Sequence, residues 1–96
     1  MKIINDKPIE NCFDGTYMRE VIFDKRVDKN FIDYLSKNCS LDYYEEFPRP
    51  FFRISKPGFY IIKGIENKNS IKVYYTRSQL AEAKAFFNAS VLSYFN

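Results

Sequence analysis

The chain contains no histidine, and this removes the commonest general base and the commonest metal ligand at neutral pH. Ser–His and Cys–His nucleophile pairs are therefore excluded. The two cysteines, Cys12 and Cys39, are too few for a tetrahedral structural zinc site, which takes four ligands. Neither cysteine is placed for activation. Cys39 falls near the end of an expected helix, where the dipole disfavours a thiolate, and Cys12 has Asp14 close by. Glu45 and Glu46 are adjacent on an extended segment, so they point to opposite sides and cannot share a pocket. The three glycines, Gly15, Gly58 and Gly64, are scattered and form no phosphate-cradling loop. These residues predict a protein that is not an enzyme, with no cofactor and no metal.

Charge is distributed more informatively. The formal net charge is only +3. Residues 1–48 carry 7 Lys or Arg and 10 Asp or Glu, whereas residues 49–77 carry seven cations against Glu66 alone. The same basic segment holds Phe51, Phe52, Phe59, Tyr60, Tyr74 and Tyr75. Cations interleaved with rings suit single-stranded nucleic acid, where phosphates meet cations and bases stack on rings. They suit an acidic protein partner equally. The candidate partner-binding residues are Arg49, Arg53, Phe59, Lys63, Lys72 and Tyr74.

Ninety-six residues predict a single domain, 1–96, with a thin core. Residues 2–4 read as a short strand, Asn5-Asp6 as a turn and Pro8–Glu10 as its return. Asp14-Gly15 is a second turn, and 16–23 is a strand rich in β-branched and aromatic residues. Asp28 is an N-cap for a helix over 29–38, with Val27 and Ile32 forming a hydrophobic staple. Residues 43–47 lead into Pro48-Arg49-Pro50, which reads as a rigid extended connection. Strands at 51–55, 59–65 and 71–75 form an antiparallel meander. Its turns are Lys56-Pro57-Gly58-Phe59 and Asn67–Ser70. With a two-residue turn at Pro57-Gly58, Phe52 and Ile54 share a face with Phe59, Ile61, Lys63, Lys72 and Tyr74. Tyr60, Ile62, Val73 and Tyr75 take the other face, toward the core.

A last helix over 78–95, capped by Ser78, places Leu80, Ala83, Phe87, Val91, Tyr94 and Phe95 in one apolar stripe. Phe86 and Leu92 fall outside that stripe and are candidates for self-association, with a homodimer as the expected form. The fold expected is α+β. It has an antiparallel sheet built from the C-terminal three-strand meander and N-terminal strands, and two helices packed on one face.

No apolar run opens the chain and none is long enough for a membrane span, so a cytoplasmic protein is expected. Abundant Asn, Lys, Ile, Tyr and Phe with little Ala or Gly is the pattern that A+T-rich codons impose, as in a low-GC bacterium or its phage. The function expected from these features is a small non-enzymatic interaction or regulatory module binding a protein partner or itself. The alternative is single-stranded nucleic-acid binding through the basic, aromatic meander at 49–77.

Overall fold

The computed structural model describes residues 2–9, 16–46, 48–76 and 79–94. Cys12, the Asp14-Gly15 turn, Ser78 and Phe95 lie outside the described residues. The elements are β1 (Ile3–Pro8), β2 (Thr16–Phe23), α1 (Lys29–Leu35), β3 (Ser40–Tyr44), β4 (Phe51–Lys56), β5 (Tyr60–Ile65), β6 (Ser70–Thr76) and α2 (Leu80–Ser93). The six strands form one sheet in the order β1-β2-β6-β5-β4-β3, with every neighbouring pair antiparallel. The fold is α+β.

Two N-terminal expectations change. Residues 3–8 form one continuous strand rather than a strand, turn and return, because Asn5 and Asp6 pair with Ile22 and Val21 across a register irregularity near Ile3. Residues 40–44 are a strand, where the sequence predicts only a segment leading into the Pro48-Arg49-Pro50 connection. The prolines at 48 and 50 follow it, and β3 is an edge strand, the place in a sheet that tolerates such neighbours best. The chain therefore runs from β2 near one side of the sheet, through α1, to β3 at the far edge. It then returns as a four-strand meander.

Local chemistry explains α1. Asp28 is extended at its N-cap, and its Oδ1 accepts the Phe31 amide at 2.9 Å. The helix ends at Leu35, three residues before the position expected, and Asn38 takes φ 62, a left-handed conformation that asparagine tolerates. Phe31 packs edge-on to Phe23 of β2 and to Tyr94 at the end of α2, and the Tyr34 hydroxyl donates to the Ser90 carbonyl at 2.8 Å. In α2, Ala83, Phe87 and Val91 are buried, with Phe87 edge-on to Tyr60 and Tyr75. The core is one apolar cluster in which these helix residues meet Val21, Phe23, Phe52, Ile54, Ile62, Ile71 and Val73 of the strands.

Register assigns the faces. A four-residue turn at Asn67–Ser70 predicts Ile62 opposite Tyr75 and Gly64 opposite Val73; the observed pairs Ile62↔Val73 and Gly64↔Ile71 differ by two residues, and a two-residue slip leaves faces unchanged. Tyr60, Ile62, Val73 and Tyr75 accordingly face the core. The β4–β5 hairpin differs by one residue. Pro57-Gly58 does make the tight turn, with Gly58 at φ 82 and the Phe59 amide donating to the Lys56 carbonyl at 3.0 Å. Strand pairing nevertheless begins at Lys56↔Tyr60, so Phe59 belongs to the loop. This odd shift turns Phe52 and Ile54 into the core and turns Phe51 and Arg53 outward.

Gly64 is required by that packing. A Cβ there would lie 2.8 Å from Cζ of Phe52 and 3.1 Å from Cγ2 of Ile71. Phe52 is fully buried, so its ring cannot swing into solvent. Gly64→Ala is expected to destabilise the protein by about 1–3 kcal/mol through overpacking. Thermal melting checks this, at roughly 4–8 °C per kcal/mol for a domain this size. A variant melting at the wild-type temperature would show that the Phe52 ring has room to shift.

Candidate nucleic-acid or protein interface on the open sheet face

Side chains alternate across each strand, so the face opposite the helices is set by the same register. No described element covers it, and none of its described side chains is buried. One row of residues crosses the whole sheet. Lys7 of β1 opposes Glu20 of β2, which opposes Lys72 of β6. Lys72 opposes Lys63 of β5, which opposes Arg53 of β4, and Arg53 opposes Asp42 of β3. Each strand thus contributes one charged residue, and three consecutive cations occupy the middle.

The ends of the row are neutralised. Lys7 Nζ lies 3.4 Å from Glu20 Oε1, and Arg53 Nη1 lies 3.7 Å from Asp42 Oδ2. Among the described residues, Lys63 and Lys72 form no ion pair. The Lys63 ammonium instead lies over the Tyr74 ring, 5.0 Å from its centroid. Like charges set directly opposite each other destabilise a sheet. The Lys72–Lys63 and Lys63–Arg53 juxtapositions are therefore unfavourable to the sheet taken by themselves.

Apolar groups flank the cations on both sides. Tyr74, Ile61 and Met18 occupy the next row on one side. Ile65, Phe51 and Tyr44 occupy the next row on the other, with the Phe51 and Tyr44 rings 5.6 Å apart. A shallow depression of about 360 Å³ includes Tyr74, Lys72, Lys63, Ile65 and Phe51. It adjoins an open shelf of about 730 Å³ formed by Tyr44, Pro48, Arg49, Phe51 and Ile65.

Five of the six partner-binding candidates from the sequence border this surface: Arg49, Arg53, Lys63, Lys72 and Tyr74. Phe59 does not. Its ring packs 5.7 Å from that of Phe86 on α2, with the Lys56 ammonium over both rings. The extra loop residue in the hairpin is the cause. The structure adds Phe51, Tyr44, Ile65 and Lys68 to the surface. Tyr44 was legible as the outward partner of Tyr43 in a two-residue alternation, had 40–44 been read as a strand.

The two self-association candidates are separated. Phe86 is 43 % exposed but packs, with its ring tilted, against Phe59 and Tyr60, while Leu92 is 69 % exposed. Among the described residues, no group of three or more His, Cys, Asp or Glu is placed to hold a metal. No described helix is long and apolar enough to cross a membrane. Burial raises the pKa of the Cys39 thiol, so it is held protonated rather than activated. No family model, curated protein or solved structure matches the chain.

The ionisation of Tyr43, Tyr60 and Tyr75 is coupled to folding. The Tyr43 hydroxyl donates to Glu66 Oε1, and that bond pushes its pKa up to about 12. Burial, the largest cause in both cases, raises Tyr60 and Tyr75 further. In the unfolded chain these phenols ionise near 10.0, whereas the folded chain holds their protons to higher pH. Their contribution to stability is therefore complete below pH 10 and is lost as pH rises through the folded values. Melting temperature should fall progressively above pH 10, and Tyr43→Phe should reduce the loss between pH 10 and 12. An unchanged pH profile in Tyr43→Phe would show that the Glu66 bond does not hold the phenol proton.

Proposed function

We propose that this protein is a non-enzymatic binding module that holds an anionic, extended partner on the uncovered face of its sheet. One observation carries the reading: Arg53, Lys63 and Lys72 stand side by side across three strands, and among the described residues the two central lysines form no ion pair. Such a row is unfavourable in isolation and becomes favourable when an anion lies along it. The flanking rings and aliphatic groups give that partner apolar surface to cover.

Immobilised heparin, a polyanion with no sequence of its own, tests the reading. The protein should be retained at low salt and released as salt rises, because bound counterions are displaced along such a chain. Lys25→Glu together with Lys37→Glu changes the net charge as much as reversing two lysines of the open face, but away from it. That variant should elute close to wild type. Passage of the wild-type protein without retention would overturn the proposal, as would equal sensitivity to the distant pair.

A further inference from the structure

Resting on that reading, we infer that the partner is single-stranded nucleic acid, lying obliquely across β6, β5 and β4. Its phosphates meet Lys72, Lys63 and Arg53, and its bases stack on Tyr74 at one end and on Phe51 and Tyr44 at the other. β4 and β6 run in the same direction, since each is antiparallel to β5. Tyr74 lies two residues after Lys72, and Phe51 lies two residues before Arg53. The rings therefore stand on opposite sides of the cation row, each roughly 7 Å from it along its strand. Lys63 lies on the diagonal between them, its ammonium over the Tyr74 ring. A path from Tyr74 through Lys63 to Phe51 and Tyr44 alternates ring, cation and rings, and the shallow depression follows most of it.

The backbone separates this ligand from an extended acidic peptide. Strands in the middle of a sheet have already paired their amides and carbonyls, so the face offers side chains only. A peptide laid flat there would lose water from its own backbone groups and find no partners for them. A nucleotide chain has no such requirement, because its phosphates need cations and its bases need flat apolar surface. A duplex fits less well, since its bases are already stacked on one another and leave the rings unused. Both are outcomes of the test below.

The probes are a labelled oligothymidylate, a duplex of matched charge and polyglutamate, measured by fluorescence anisotropy on the whole protein. The oligothymidylate should bind most tightly. Tyr74→Leu should weaken it about 5- to 150-fold, the range for loss of one stacked base. Tyr74→Phe, which keeps the ring, should bind as wild type does. Tyr44→Leu, on the edge strand, provides the same comparison should Tyr74→Leu fail to fold. Equal binding of polyglutamate, or indifference to loss of either ring, would overturn the nucleic-acid inference and leave the anion-binding face standing. Tighter binding of the duplex would overturn it as well. Failure of all three probes, together with heparin, would overturn both.

Discussion

Phe87→Ala is expected to cost about 3–5 kcal/mol, the usual range for removing a fully buried phenylalanine. Phe87 has no exposed surface and sits at the centre of the contact between α2 and the sheet, its ring 6.0 Å from Tyr60 and 6.3 Å from Tyr75. The two remaining buried residues of α2, Ala83 and Val91, are small. Neither is large enough to fill the space. A domain of this length has roughly 5–14 kcal/mol of stability in total, so the loss removes a large share of it. The melting temperature should fall by roughly 12–40 °C. Phe86→Ala, one residue earlier, should cost far less, because Phe86 is 43 % exposed and packs against Phe59, Tyr60 and the Lys56 ammonium at the rim of the core. Equal effects of the two variants would mean that α2 presents a different face to the sheet.

Reversing Lys63 and Lys72 together should abolish polyanion binding while leaving the fold nearly unchanged. The double substitution changes the row by four charge units. At about 1 kcal/mol per unit in contact through water, binding should weaken on the order of several-hundred-fold. Stability responds much less, for reasons specific to each position. A carboxylate at position 63 would face Arg53 and relieve the repulsion there. A carboxylate at position 72 would face Glu20, which is the opposite effect. The contact of Lys63 with the Tyr74 ring is also lost, at about 0.5–1 kcal/mol for an exposed cation–π pair. The sum is a shift of a few degrees at most in melting temperature. A double variant that unfolds would show that the lysines hold the sheet together, and the open face would lose its functional reading. Retained binding in a folded double variant would place the partner elsewhere.

Much of this protein was legible in its sequence because the signals were local. Asp28 ahead of Phe31 and Ile32 marks a helix start wherever it occurs, since the cap involves only the residues beside it. The spacing of Ala83, Phe87 and Val91 defines the buried side of α2 through the geometry of the helix alone. The basic, aromatic character of residues 49–77 is a matter of composition, and it pointed to five of the residues that now border one surface. Pro57-Gly58 marked its turn correctly.

Tertiary structure decided what depends on pairing between distant residues. One additional loop residue at Phe59 determined which side of β4 faces the core, and a tight turn does not reveal whether its hairpin closes on that turn or one residue beyond. β3 was hidden by Pro48 and Pro50, because its partner is a strand that follows them and its edge position is a property of the whole sheet. The row from Lys7 to Asp42 draws one residue from each of six strands, at sequence separations that no pattern along the chain records. Its alignment follows from five registers, and in β2, β4, β5 and β6 the opposite face is the one that carries the buried core residues. The same packing that places Val21, Ile71, Ile62 and Ile54 in the core leaves the alternate residues, with Lys63 and Lys72 among them, together on the open side.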